Sequence, residues 1–161
     1  MGNRVILTIL KGNQMANISS TINLKWITST NTIMAGVDSR GTPIVIGITE
    51  EHEPLWRGLK ASDLLLMSAA SCSTYDIVSI LKKQREPLER LEVSCTGEQS
   101  EEVPRRFTHI HIHYQFSGDL NPENVEKAIR LSQDKYCTVL NTLRGSVEIS
   151  SDYEILKLKR E

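Results

Sequence analysis

The spacing of hydrophobic and polar positions changes several times along the chain, and each change marks an element. The longest unbroken pattern runs over residues 62–83. It begins Ser62-Asp-Leu-Leu-Leu-Met-Ser-Ala-Ala-Ser-Cys72 and is apolar almost all round in its first half. That reads as one long, buried helix, because a surface helix confines its apolar residues to one stripe. Ser62 is expected to cap it, with Asp63 in the first turn, and Lys82 and Lys83 suit the negative end of the helix dipole. Arg85-Glu86-Pro87 should stop it, since the residue before a proline is pushed out of helical geometry.

Period-two alternation surrounds this helix. Ahead of it, residues 21–28 place Ile22, Leu24 and Trp26 on one face. Residues 32–37 and 43–48 flank the turn Asp38-Ser-Arg-Gly41, and residues 49–61 form a polar loop. Behind it, Leu91, Val93 and Cys95 share one face of a strand. Residues 107–116 alternate most clearly, with Thr108, Ile110, Ile112, Tyr114 and Phe116 on one side and His109, His111, His113 and Gln115 on the other. Asn121-Pro122-Glu123 opens a second helix, whose stripe is Val125, Ala128, Ile129 and Ser132. That helix should end near Lys135-Tyr136. Cys137 follows at once, then a helical turn to Leu143 and a final strand over residues 147–156. The order βββ–α–ββ–α–β predicts an α+β fold with antiparallel sheets. One domain over residues 20–161 is expected, with residues 1–19 as an N-terminal extension. Arg4 to Leu10 reads there as a strand, and translation beginning at Met15 rather than Met1 is an open alternative.

Composition narrows the function classes. A formal net charge of −1 gives no electrostatic reason for a nucleic-acid partner or a membrane surface. The apolar run from Val5 to Leu10 is too short to span a bilayer and lacks a small-residue cleavage site, so no signal peptide is assigned. The three cysteines are therefore expected to be reduced thiols in the cytoplasm, where any disulfide is transient and chemical in purpose.

Two of those cysteines occupy unlike settings. Cys72 lies mid-helix in apolar company, beyond the reach of the helix dipole, so a reactive thiolate there needs stabilisation from outside the helix. Cys137 lies at the end of one helix and the start of another. Cys95 alternates with Leu91 and Val93 and reads as a small hydrophobe. Asp76, one turn beyond Cys72 on the same face, either accepts hydrogen bonds from a neighbouring segment, or holds a cation near the sulfur or helps move a proton. The row His109, His111 and His113 is read as the solvent side of a strand. No metal or cofactor is assigned.

Three blocks then resemble the OsmC/Ohr family: Ser62 to Cys72 followed by Asp76-Ile-Val-Ser-Ile-Leu81, then Pro104-Arg-Arg-Phe-Thr-His-Ile-His-Ile-His-Tyr114, then Leu131-Ser-Gln-Asp-Lys-Tyr-Cys137. They occur in the family's order. The resemblance implies an intertwined homodimer with the long helices in a joint core. It also implies a thiol-dependent peroxidase that reduces organic hydroperoxides. Cys72 matches the peroxidatic cysteine and Cys137 the resolving one, and a dithiol such as a lipoyl-bearing protein would restore them. The hydroperoxide-resistance branch uses a first-sheet arginine held by a glutamate. Residues 26–37 contain no arginine here, and Asp63 matches the acid of the OsmC-like branch. Arg57 is the nearest replacement cation by sequence, with Arg40 and Arg144 as others. A second function remains open at this point: a dimeric binding module for a small apolar or thiol-bearing ligand, with little or no peroxidase activity.

Overall fold

The computed structural model describes residues 19–27, 32–48 and 58–156. The chain divides into two compact units, Met1–Gly58 and Leu59–Glu161. The first holds β1 (Asn23–Trp26), β2 (Thr32–Val37) and β3 (Pro43–Ile48), an antiparallel sheet in chain order. Its hairpin closes through the Asp38 carboxylate, which accepts the backbone N–H groups of Arg40 and Thr42, each at 2.8 Å. Those two donors hold the Asp38 carboxyl below its usual range. Gly41 takes φ 90°, where a side chain would be strained. The strand expected over residues 21–28 is shorter, and its last position lies outside the described residues. So do Arg4 to Leu10, Met15, and residues 49–57 of the expected loop.

The second unit holds α1 (Ala61–Lys83), β4 (Leu88–Gln99), β5 (Phe107–Gly118), α2 (Pro122–Leu131), a π-helical turn (Ser132–Tyr136), α3 (Thr138–Leu143) and β6 (Glu148–Leu156). Strands β4 and β5 pair antiparallel, but β5 and β6 pair parallel, with Ile110 opposite Ile149 and Tyr114 opposite Tyr153. The expectation of wholly antiparallel sheets is corrected on this point. The connection from β5 to β6 carries two helices, and a crossover of that length returns the chain in the same direction.

The alternation of β5 builds the core. Ile110, Ile112, Tyr114 and Phe116 are fully buried, together with Val125 and Ala128 from α2 and Leu140 from α3. Each such buried aliphatic side chain is worth about 1.5–3 kcal/mol over an exposed one. The helix α1 contributes the ladder Ala69, Ser73, Ile77 and Leu81 to this core. It is not buried all round within one chain: Met67 and Tyr75 remain 51% and 75% exposed.

The ends of α1 also differ from expectation. Its N-cap is Lys60, without a side-chain cap, while the Ser62 hydroxyl turns to the Asp63 carboxylate at 3.3 Å. Its C-terminus closes as a Schellman motif: the Glu86 N–H donates to Leu81 O and the Arg85 N–H to Lys82 O. Arg85 sits at φ 60°, the left-handed position usually given to glycine.

Candidate active site

Three reactive side chains meet where α1 packs against the crossover between β5 and β6. Cys72 and Asp76 are one turn apart on α1 and so project from one face. Cys137 comes from the far side, at the junction of the π-helical turn and α3. One carboxylate oxygen of Asp76 and the two sulfurs lie within 4.8 Å of one another. Cys137 is fully buried, whereas Cys72 and Asp76 are partly exposed. All three cysteines are free thiols.

The π-helical turn shapes this junction. It widens the helix after α2, so that the Cys137 N–H donates to Ser132 O at 2.8 Å, and Cys137 leaves the helix with extended backbone. Cys137 then caps α3, its sulfur accepting the Leu140 N–H at 3.5 Å. Burial pushes the Cys137 thiol up to about 12; the Leu140 N–H opposes this and the neighbouring Cys72 adds to it. Cys137 therefore keeps its proton in the neutral range, beside Cys72.

A buried hydroxyl chain leads to the same place. The Tyr114 hydroxyl and Ser73 Oγ share a 2.6 Å hydrogen bond. Ser132 Oγ lies 3.2 Å from Ser73 Oγ, 3.2 Å from Ser73 O and 3.3 Å from Asp76 Oδ2. Ser132 has one hydroxyl proton, so it donates to one of these acceptors at a time. Asp76 Oδ2 is thus one of three acceptors within reach of the Ser132 hydroxyl. The sequence signal for Ser73 and Ser132 was present but unassigned: each is a hydroxyl inside an otherwise apolar helical stripe.

Within this unit, Asp63 and Arg144 have other surroundings. Asp63 is nine residues before Cys72 on α1, about 14 Å along the helix axis. It does not join the pair within this chain. Arg57 lies outside the described residues. The Arg144 guanidinium donates to Gln133 O at 2.8 Å and to the Asp134 carboxylate at 3.4 Å. Arg40 belongs to the hairpin of the first unit. Cys95 packs against the core, and burial raises its thiol, in keeping with a space-filling role. The histidine row is tied into β6: His109 and His111 bond Ser150, and His113 bonds Asp152 at 2.6 Å. Among the described residues, the metal-ligand types that converge are Cys72, Asp76 and Cys137.

The arrangement can do two kinds of chemistry. Two thiols this close can exchange between dithiol and disulfide after a side-chain rotation, since an S–S bond spans about 2.05 Å. The same two sulfurs and a carboxylate are also a set of soft and hard donors for a metal ion.

Comparison with known proteins places this chain in a family. The family profile for OsmC-like proteins matches residues 52–152. Protein YhfA of Escherichia coli strain K12 is 43% identical over 95 residues, which are 58% of this chain and 71% of that protein. A hypothetical protein from Aquifex aeolicus VF5 has TM-score 0.77 at 27% identity, covering 89% of this chain and 100% of its own. An organic hydroperoxide resistance protein OsmC from Legionella pneumophila shares the fold at TM-score 0.65 and 15% identity, covering 87% of this chain and 99% of its own. The chain belongs to the OsmC-like protein family, the OsmC/Ohr family that its three sequence blocks resemble.

Proposed function

We propose that this protein is a two-cysteine peroxidase for organic hydroperoxides, acting through Cys72 and Cys137. The observation that carries this reading is the meeting of the two sulfurs, from elements far apart in the chain, within 4.8 Å. The partly exposed Cys72 is the attacking sulfur. It takes the terminal oxygen of the hydroperoxide, the O–O bond breaks, and an alcohol leaves with the thiol as Cys72 sulfenic acid. The Cys137 sulfur then displaces hydroxide from that sulfenic acid. Its own proton completes a water molecule, and the Cys72–Cys137 disulfide forms. A dithiol reductant, of the lipoyl-bearing type, returns both thiols by exchange. The hydroperoxide-resistance names of the structural relatives fit this reaction class.

The same reading makes the working unit a homodimer over one domain, residues 20–161, in the reducing cytoplasm. The exposed apolar face of α1 favours a second copy. A groove of about 540 Å³ there is lined by Met67, Ala70, Thr74, Tyr75, Leu91 and Val93. By length and composition alone α1 could also cross a membrane. Its packing against β4, α2 and α3 favours a core helix instead.

Thiol mapping by mass spectrometry tests the proposal, after one equivalent of cumene hydroperoxide on metal-free protein. The expected products are a Cys72–Cys137 disulfide in the wild type and trapped sulfenate at Cys72 in Cys137→Ser. Cys72→Ser should not react. Thiols that stay reduced over minutes would end the peroxidase reading and leave the binding module.

A further inference from the structure

The geometry points to a second occupant of this site: we propose that the reduced protein binds one thiophilic divalent cation, of the zinc type, through Cys72 Sγ, Cys137 Sγ and the Asp76 carboxylate. The donors lie within 4.8 Å of one another before any cation is present. Around tetrahedral zinc, bonds of about 2.3 Å to sulfur and about 2.1 Å to oxygen put ligand atoms roughly 3.5–3.8 Å apart. The site therefore needs a contraction of about 1 Å, within reach of side-chain rotation. Cys72 and Asp76 stand at i and i+4 on a long helix, which fixes two ligands on one face.

The surroundings suit ligands rather than bystanders. Cys137 Sγ accepts the Leu140 N–H, and Asp76 Oδ2 accepts from Ser132 Oγ. Such contacts orient metal ligands from behind. Two sulfurs select zinc-like or cadmium-like ions over magnesium or calcium, which take oxygen ligands. Three protein ligands leave a fourth position for water. Cys72 and Asp76 are partly exposed, so the ion can enter from solvent. Binding releases the two thiol protons and leaves a complex of net charge −1.

Metal binding itself does not depend on peroxidase activity; its consequence for that activity does. A cation held on both sulfurs blocks attack by Cys72 until it dissociates. Release of the cation takes up two protons to restore the dithiol, and one hydroperoxide then oxidises it to the disulfide, giving one alcohol and one water. The site would then exchange metal against oxidation state.

Cobalt(II) titration of the reduced, full-length protein under anaerobic conditions tests the site without peroxide. The expected result is a thiolate-to-cobalt charge-transfer band that saturates at one ion per chain and is displaced by zinc. Cys72→Ser and Cys137→Ser should each lose at least half of its intensity. Asp76→Asn should weaken binding at least about tenfold. Cys95→Ser should bind as the wild type does. Absence of the band in folded wild-type protein would overturn the proposal, as would unchanged affinity in Asp76→Asn. Because thiol mapping uses metal-free protein and cobalt titration uses no peroxide, either proposal can fail while the other stands.

Discussion

Cys137 and Cys72 are the same residue type in different surroundings, one fully buried and one partly exposed. Cys137 has no exposed surface and its thiol is pushed up to about 12, first by burial and then by its neighbour. The sign of the pH effect follows. A raised thiol keeps its proton across the neutral range, so the reactive thiolate of Cys137 grows only as pH climbs toward 12. Iodoacetamide at pH 7.5 should therefore label Cys72 in the native, reduced protein and leave Cys137 unmodified. Cys137 labelling should rise only as pH climbs from 9.0 toward 12 and become complete on unfolding. Peptide mapping checks the order, and early labelling of Cys137 at neutral pH would contradict the assignment of roles. The raised value also bears on stability. Deprotonation is easier in the unfolded chain, so the contribution of this thiol is intact below the ordinary thiol value of 9.0 and is lost as pH rises toward 12.

Elements that depend on near neighbours were legible in the sequence. The alternation of β5 marked its buried face from Ile110 to Phe116, though Thr108 on the same face is exposed, and Asn121 caps α2 as expected, its side chain accepting the Glu123 N–H at 3.0 Å. Features settled by distant contacts were not. The Ser132 hydroxyl meets Ser73 across 59 positions, and no local pattern announces that meeting. The parallel pairing of β6 depends on the path of the crossover, which strand alternation does not encode. The start of α1 was misplaced because Ser62 has an acceptor next door in Asp63 and does not cap. At the site, the sequence offered Cys72, Asp76 and Cys137 as residue types, and only the packing of α1 on the π-helical turn brings them together. The stop of α1 was legible as a position but not as a mechanism. Arg85 holds a left-handed conformation that costs a residue with a side chain about 1 kcal/mol. Arg85→Gly should therefore raise stability by about 0.5–1 kcal/mol, read as a higher urea midpoint with an unchanged slope. An unchanged or lowered midpoint would mean that the Arg85 side chain contributes more than its backbone costs.

At the scale of the whole molecule, the apolar side chains left uncovered are the main clue. Met67 and Tyr75 on α1 stay exposed, and so do Leu24 and Val45 in the first sheet. A chain of 18.1 kDa with this much uncovered apolar surface is expected to measure as a dimer by light scattering. The pair Met67→Glu and Tyr75→Lys should shift it to monomer at micromolar concentration while keeping helical circular dichroism. A wild-type mass equal to one chain would remove the dimer from the proposal. The parallel pairing of β6 with β5 has a further consequence, in the order of biosynthesis. Cys72 leaves the ribosome well before Cys137, and the segment carrying Cys137 packs on α1 before β6, the last strand, docks on β5. A chain that stops short of β6 would carry both thiols and the α1 contacts of their segment, with β5 left as a bare sheet edge beside them.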